Sequence, residues 1–326
     1  MHNTNKFSAL SGRLGKFGIA GAIACALIPA AGAAQLSADA RSAIPKDIQQ
    51  LITVDYRAMQ NSTSAMDLKN RVLPPDIKQL EDALKSSGLN ENHDVDALAF
   101  ASFRTSDVQG TRIVGVAQGQ FNLDAIKANW LKKKIKYTKV RTNRVYPMGA
   151  NGMAVTFVNP TTMIFGSSEA VKAALDARDG LAPSMLDNGP FMDSMQAVDS
   201  QAVWSVLDQE GTQYMMHSVL GQASQVTDYD TVKKRLLGSR YTMDFSNGVK
   251  FNLAVLTPDA FTAGTMASLL NAAALYEKMS GTPTEKQAIE NTTVTSNASN
   301  LEVSFSASDS QFTSLLQSPL FQAVVR

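Results

Sequence analysis

The feature of this 326-residue chain that most restricts its fold is an order of secondary-structure signals that occurs twice. Each occurrence begins with an apolar strand and helical segments, continues with a hairpin of two alternating strands and a helix, and closes with further strands and a final helix. Gly110 corresponds to Gly248 at an offset of 138 residues, and Asp124 corresponds to Asp259 at an offset of 135. The near-constant offset indicates an internal duplication.

The strands of the second occurrence alternate between apolar and polar residues. The apolar positions are Tyr241, Met243, Phe245, Leu253, Val303 and Phe305. Such alternation is typical of antiparallel sheets that have one face under helices and the other face in water. We therefore predict an α+β fold of two tandem ferredoxin-like, or similar, halves with antiparallel sheets covered by helices, and we predict that these six side chains are buried.

Composition divides the chain into four segments. We predict a signal peptide over 1–34, a first α+β repeat over 44–180 and a second α+β repeat over 200–326. The joining segment, 181–199, is rich in Pro, Gly and Asp, which are typical of turns.

The N-terminal segment has the pattern of an export signal. Three basic residues, Lys6, Arg13 and Lys16, precede the apolar run FGIAGAIACALIPAAGAA. The run ends in small residues. This is the pattern of a Sec-type signal peptide, here cleaved after Ala33 or Ala34. An uncleaved anchor is the alternative, although a Gly- and Ala-rich run broken by proline spans a bilayer poorly. The prediction is an exported protein, periplasmic or extracellular.

Cys25, the only cysteine, lies inside this apolar run. It could be the lipidated residue of a lipoprotein, but the run continues past it and the usual Leu three residues earlier is missing. Without the leader the chain has no cysteine, so it has no disulfide and no thiolate catalyst. Loss of the leader also changes the formal net charge from +1 to about −2. Export and this near-neutral charge argue against nucleic acid as a partner.

Catalytic motifs are missing from the mature sequence. His93 and His217 are its only histidines, and it has no HExxH, GxSxG, SxxK or Walker A motif and no GxGxxG after a strand. Gly115 and Gly119 lie in a predicted strand, where glycines more often allow close packing than bind phosphate. We predict no catalytic residue and no cofactor, and the missing motifs argue against an enzyme.

Acidic segments and methionines are the candidates for metal binding. NENHDVDA, TDYD and LDNGPFMD lack the EF-hand spacing, and their Asp, Asn and Gly residues also form turns and helix starts. The methionine candidates, whose thioethers suit Cu(I), are Met185, Met192, Met195 and the sequence Met215-Met216-His217. Methionine is also ordinary core filler, and adjacent helical residues point about 100° apart. No metal site is predicted.

The stretch WLKKKIKYTKVRTNR, Trp130–Arg144, contains seven cations and no acid: Lys132, Lys133, Lys134, Lys136, Lys139, Arg141 and Arg144. We predict that a helix capped by Asn122 ends near Lys134 and that an edge strand begins at Tyr137. The strand NTTVTSN of the second occurrence has no cation, so the fold does not require the charge. A solvated edge strand is one interpretation, and weak contact with anionic lipid or cell-wall polymer is the other.

Two functions from different classes are consistent with these features. The first is a non-catalytic exported envelope protein that binds or scaffolds through its sheet faces or the groove between the halves. The alternative is an exported hydrolase whose carboxylate pair lies between the halves, drawn from Asp55, Asp208 and Glu210.

Several runs of the chain also resemble a known family. The runs DVDALAFASF, TRIVGVAQGQF, VKAALDARDG, VWSVLDQEGTQYMMH and KKRLLGSRYTMDF resemble an exported, uncharacterised protein family of acidobacteria-like soil bacteria. The resemblance covers nearly all of the mature chain. It implies export and duplication, and it implies no activity and no catalytic residue.

Overall fold

Alternating strands and capped helices fill the part of the chain that the computed structural model describes, residues 35–105, 111–149, 151–220, 229–318 and 321. The predicted signal peptide, its cleavage positions and Cys25 lie outside the described residues. Those described belong to one compact unit and form antiparallel strands flanked by helices, so the predicted α+β class is confirmed.

The described residues contain 12 strands. Their bounds are β1 Ile48–Asp55, β2 Val95–Arg104, β3 Thr111–Gly119, β4 Thr138–Val140, β5 Asn143–Pro147, β6 Met153–Asn159, β7 Thr162–Ser167, β8 Val203–Leu207, β9 Gly238–Asp244, β10 Val249–Leu256, β11 Thr292–Asn297 and β12 Asn300–Ala307.

Helices connect these strands. Within the described residues their bounds are α1 Ala38–Ser42, α2 Tyr56–Met59, α3 Thr63–Val72, α4 Pro75–Ser86, α5 Glu91–Asp94, α6 Leu123–Lys132, α7 Ser168–Arg178, α8 Gly189–Gln196, α9 Gln209–Leu220, α10 Tyr229–Lys233, α11 Ala260–Ser280, α12 Pro283–Glu290 and α13 Asp309–Leu316, with a short 3₁₀ turn at Met185–Asp187.

All 12 strands form one sheet in the order β11-β12-β10-β9-β8-β1-β2-β3-β7-β6-β5-β4, and every pair is antiparallel. β1 pairs with β8 in the middle, so the two halves share one sheet instead of having one each. The first three strands of each half are a meander. A ferredoxin-like unit contains a split βαβ crossover instead. The halves are therefore antiparallel α+β units that differ from the ferredoxin-like arrangement in how their strands are connected.

The two faces of the sheet differ in how they are covered. On the first half, face A carries Leu98 and Phe100 toward α4 and α6, and face B carries Ala99 and Ala101 toward α1, α7 and α8. On the second half, α9, α11 and α13 pack on face A. Face B of the second half carries exposed polar side chains, as the alternation predicted: Lys250, Asn252 and Ser304.

The predicted burial of six alternating residues is only partly correct. Leu253 is 7% exposed and buried, whereas Tyr241, Met243, Phe245, Val303 and Phe305 are half-buried. The reason is the placement of the helices. α11 packs toward the sheet end that contains Val255 and Leu301, while α13 packs toward the opposite end, which contains Val249 and Ala307. The side chains between these two ends are therefore covered incompletely.

Side-chain caps and a proline mark where several helices begin, and the predicted cap at Asn122 is confirmed. The Asn122 side chain accepts a hydrogen bond from the Ala125 N–H and caps α6, Pro75 is the first residue of α4, and Ser308 forms a capping box with Gln311. Asp259 is the N-cap of α11, because its carboxylate accepts from the Thr262 N–H.

The joining segment is part of the core and not only a series of turns. Met185, Phe191 and Met195 are buried in the face B cluster, beside Ala40 and Ala43 from α1. The segment contains the helix α8, which Asn188 caps by accepting from the Phe191 N–H.

Gly115 and Gly119 permit close packing, as predicted. Gly115 lies directly opposite Phe165 in the β3–β7 pair, and a Cβ at Gly115 would meet the Phe165 ring. A Cβ at Gly119 would meet the Asp94 carbonyl oxygen. Phe165 in turn packs edge-on against Phe100 at a ring distance of 5.7 Å.

We expect Gly115→Ala to lower the free energy of unfolding by about 1–3 kcal/mol, because the added methyl group overpacks the Phe165 ring. The matched control is Gly264→Ala in α11, where a Cβ would have no close contact. That control should raise the free energy of unfolding by up to about 1 kcal/mol. Urea unfolding followed by circular dichroism measures both, and an unchanged Gly115→Ala variant would contradict the packing argument.

Candidate functional site

Of the carboxylates considered for a hydrolase, Asp55 lies far from Asp208. At one end of the β1–β8 pair the Asp55 N–H donates to the Ala202 carbonyl at 2.6 Å, and at the other end the Asp208 N–H donates to the Gln49 carbonyl at 3.1 Å. Six strand residues at about 3.4 Å each separate the two carboxylates by about 20 Å.

Each of these carboxylates has a structural partner. Asp55 caps α2 by accepting from the Ala58 N–H at 2.8 Å. Asp208 and Glu210 both pair with Arg104, at 2.7 and 2.9 Å, and the hydrogen bond to Asp208 raises the pKa of the Arg104 guanidinium. Asp55 thus forms no pair with Asp208, while Asp208 and Glu210 share the Arg104 guanidinium as their ion partner.

The methionine candidates are distributed over different hydrophobic clusters. Met185 and Met195 lie in the face B core, while Met216 lies in the face A core of the second half. His217 is exposed, with its ring 6.1 Å from that of Tyr229. Across the residues that the structure describes, no group of three or more His, Cys, Asp or Glu side chains is placed to hold a metal ion.

The acidic segments form caps and turns. In NENHDVDA, the Asp94 carboxylate accepts from the Asn90 N–H at 2.8 Å, and Asp96 pairs with Arg57 at 2.5 Å. In LDNGPFMD, Asp187 forms a capping box with Ser184. The first two residues of TDYD lie outside the described part of the chain.

The cationic stretch forms a hairpin instead of one extended strand. β4 and β5 pair around a turn at Arg141 and Thr142, and Arg141 has a positive φ of 53°. Lys139 and Arg144 are consequently directly opposite each other on one face. The predicted edge position is confirmed, since β4 is the last strand of the sheet.

The hairpin has no equivalent in the strand order of the second half. NTTVTSN forms β11, which pairs with β12 in the way that β6 pairs with β7. β4 and β5 extend the sheet beyond β6. The comparison of NTTVTSN with the cationic stretch was therefore wrong, because the sequence contained an additional hairpin before the corresponding strand.

Two of the seven predicted patch residues are held by local contacts. Lys133 donates to the Ser86 carbonyl at 2.6 Å. Arg141 pairs with Asp179 at 2.6 Å and with Asp176 at 2.7 Å, and these hydrogen bonds raise its pKa. The remaining five have no ion pair with any residue that the structure describes: Lys132, Lys134, Lys136, Lys139 and Arg144.

A cavity of about 60 Å³ lies between α4 and face A, and we call it the α4 pocket. Ten apolar side chains line it: Leu73, Ile77, Leu80, Leu84, Leu89, Val95, Leu98, Phe100, Met163 and Phe165. Leu80 and Leu84 are buried, as expected for the apolar stripe of α4, but Leu73 and Ile77 at its N-terminal end are half-buried. The pocket is therefore open on the side of this helix end.

Four charged side chains complete the lining of the pocket and pair with one another. Lys69 lies 3.2 Å from Glu81 and 3.1 Å from Glu91, and Lys85 lies 2.6 Å from Glu81 and 3.3 Å from Glu91. Lys69 also lies over the Tyr56 ring, 5.1 Å from its centroid. The four charges sum to zero, so the pocket presents no unbalanced charge to a ligand.

This ring of charges shifts the pKa values of its members. Burial of Glu81 opposes its ionisation, but hydrogen bonds from Lys85 and Lys69 outweigh this effect and lower the pKa of Glu81. The hydrogen bond to Glu81 raises the pKa of Lys85. Burial, together with the neighbouring Glu91 carboxylate, raises the pKa of the Tyr56 phenol.

Sequence reasoning missed the α4 pocket. Its apolar residues have the same spacing as an ordinary core stripe, and its lining comes from helices and strands between Lys69 and Phe165. The one sequence feature that relates to the pocket is the Pro74-Pro75 break. It sets the N-terminal end of α4, and it leaves Leu73 at the open side of the α4 pocket.

Comparison with known proteins gives a fold likeness. No protein-family model and no curated protein sequence matches the chain. The solved structure of crystal form I of TP0453 has a TM-score of 0.51 and 11% identity, and the match covers 88% of this chain and 98% of that chain. Crystal forms III and IV of TP0453 have TM-scores of 0.49 and 0.43 at 10% and 12% identity, each match covering 85% of this chain and 96% of that chain. The likeness to form I shows a mixed α and β fold.

We expect the free energy of unfolding to fall as the pH drops below about 4.5, because Glu81 has a lowered pKa in the folded state. A carboxylate of this kind contributes its full stabilisation above its unfolded pKa and loses it as the pH falls through its folded pKa. Urea unfolding between acidic and neutral pH measures the dependence. Glu81→Gln should flatten it, while Glu277→Gln on the exposed surface of α11 should leave it unchanged. Equal slopes in wild type and Glu81→Gln would contradict this assignment.

Proposed function

We propose that the protein is an exported, non-catalytic envelope protein that binds an apolar chain, such as an acyl chain, in the α4 pocket. The observation that carries the proposal is a cavity whose ten apolar lining residues are accompanied by only four charges, all paired with one another. Burial of apolar ligand surface, worth about 0.8 kcal/mol per CH₂ group, would supply the affinity.

A row of side chains on face A leads away from the pocket and supports a chain-shaped ligand. Strand pairing places Phe100, Ile52, Ser205, Tyr241, Leu253 and Val303 side by side on consecutive strands. Phe100, Ile52, Tyr241 and Val303 are half-buried. Strands lie about 4.8 Å apart, so the row extends over about 24 Å. Ser205 and Leu253 are buried, so the row would contact a chain-shaped ligand through its four half-buried members, beginning at the pocket-lining Phe100.

The size of the cavity indicates which part of the ligand it would hold. Its volume of about 60 Å³ equals the share of about two water molecules in liquid water. The pocket is thus suited to the end of a chain, with the remainder along the face A row. A polar head group would find hydrogen-bond donors at Lys85, whose side chain is 47% exposed.

Export and internal duplication are parts of the same proposal. The basic, apolar and small-residue order of 1–34 supports export. The strand orders β1-β2-β3-β7-β6 and β8-β9-β10-β12-β11 support a duplication, because each half is a meander followed by a returning hairpin. Among the described residues no helix is both long enough and apolar enough to cross a bilayer.

We expect Ile77→Trp to weaken binding of an apolar probe at least ten-fold, because the indole would fill the pocket from the half-buried end of α4. The measurement is the fluorescence of 1-N-phenylnaphthylamine and its displacement by palmitate. Val72→Trp is the matched control, since Val72 is 45% exposed and does not line the pocket.

The outcomes of this titration separate the alternatives. Loss of binding in Ile77→Trp with retention in Val72→Trp supports the proposal, provided that both variants unfold like wild type in urea. Absence of any palmitate-displaceable binding in wild type rejects it. Equal binding by all three proteins would place the probe elsewhere and would also reject the α4 pocket as the site.

We expect the exported protein to begin at Ala34 or Gln35 when its N-terminus is sequenced by Edman degradation. A lipid-modified Cys25 at the N-terminus would show a lipoprotein instead, and a chain that still begins at Met1 in the membrane fraction would show an anchor.

A further inference from the structure

We propose that the end of α6 and the β4–β5 hairpin form a docking site for an anionic lipid surface. We call this region the cationic tip and define it by Lys132, Lys134, Lys136, Lys139 and Arg144 together with Leu131 and Tyr137. It is a second site, distinct from the α4 pocket, and it does not depend on what the pocket binds.

The charges of the cationic tip are not neutralised by the fold. All five cations are exposed, and none forms an ion pair with a residue in the described ranges. By contrast, nearby Lys133 and Arg141 each have a structural partner. Lys133 and Arg141 thus hold the end of α6 and the hairpin in place, whereas the five cations of the tip are exposed to solvent.

The arrangement of Lys139 and Arg144 opposes local stability. They are directly opposite in the β4–β5 pair, where like charges are destabilising. Arg144 is nevertheless held in place, because its guanidinium lies over the Tyr137 ring at 4.8 Å. Departures from local folding rules that no other contact explains are expected at functional sites.

Two exposed apolar side chains favour lipid over a soluble polyanion. Leu131 is 79% exposed and Tyr137 is 46% exposed, and both lie among the cations. A wall polymer or other soluble polyanion would neutralise the lysines but would leave Leu131 in water. At a bilayer, Leu131 can enter the interfacial region, Tyr137 suits the head-group level, and lysines keep their charges at the phosphates.

The cationic tip is built on a rigid base. Trp130, the residue before Leu131, is buried and packs on Tyr146 at a ring distance of 4.2 Å, and Tyr137 lies 5.5 Å from Tyr146. Lys133 fastens the end of α6 to the Ser86 carbonyl at the end of α4. The exposed groups are therefore presented together by packed residues and not by a free loop.

The test is co-sedimentation with vesicles of phosphatidylglycerol mixed with phosphatidylcholine, and with vesicles of phosphatidylcholine alone, at low and high salt. The tip variant carries Lys134→Gln, Lys136→Gln and Lys139→Gln. We expect its partitioning to anionic vesicles at low salt to be about 100-fold weaker than that of wild type, from three cations near the surface. Leu131→Ser should weaken partitioning about ten-fold without changing its salt dependence.

The matched control removes three exposed lysines elsewhere, with Lys172→Gln, Lys234→Gln and Lys250→Gln. It has the same net charge as the tip variant and should bind like wild type. Equal loss of binding in both triple variants would show a nonspecific charge effect and overturn the proposal.

Three further results would overturn it. Wild type could bind both vesicle types equally, or neither. Binding could also be unaffected by Leu131→Ser and abolished by soluble polyphosphate, which would identify a polyanion site. Thermal unfolding of every variant monitors the fold, and no hydrogen bond or ion pair joins the side chain of a substituted lysine to a residue in the described part of the chain.

Discussion

The pairing of β1 with β8 is the constraint on which the rest of the structure depends. It joins two meanders into one sheet and places Leu51, Trp204 and Val206 in the face B core. Two polar contacts reinforce this junction from the sides. Arg104 reaches across to Asp208, and the buried Ser64 hydroxyl of α3 donates to Asp309 at the start of α13 at 2.6 Å. In both contacts a donor side chain of the first half pairs with a carboxylate of the second half.

Local patterns in the sequence predicted the elements better than their assembly. Alternation identified the hairpins and short-range chemistry identified the cap at Asn122, because these depend on neighbours a few residues away. The turn at Arg141 and Thr142 was missed, since it contains no Gly or Asn to mark a positive φ. The shared sheet was missed for another reason. Alternation shows which face of a strand is apolar, but it does not show which distant strand pairs with its free edge.

The two candidate sites were predictable to different degrees. The cationic tip was visible as a charge run, but only the structure separates Lys133 and Arg141, which have local partners, from the five cations that do not. The α4 pocket was invisible, because a stripe such as Ile77, Leu80 and Leu84 has the same spacing whether the helix lies flat on a sheet or stands away from it at one end.

The position of β1 has a consequence for biosynthesis. β1 pairs on one side with β2, which follows it closely in the chain, and on its other side with β8, which is made much later. The contact between Gln50 and Ser205, for example, joins residues 155 positions apart. While the chain is being made, the first half has an open central edge, IQQLITV, that carries no charge to discourage pairing. Open uncharged edges are templates for other strands. Pairing of β8 with β1 therefore removes an edge through which copies of the nascent chain could associate.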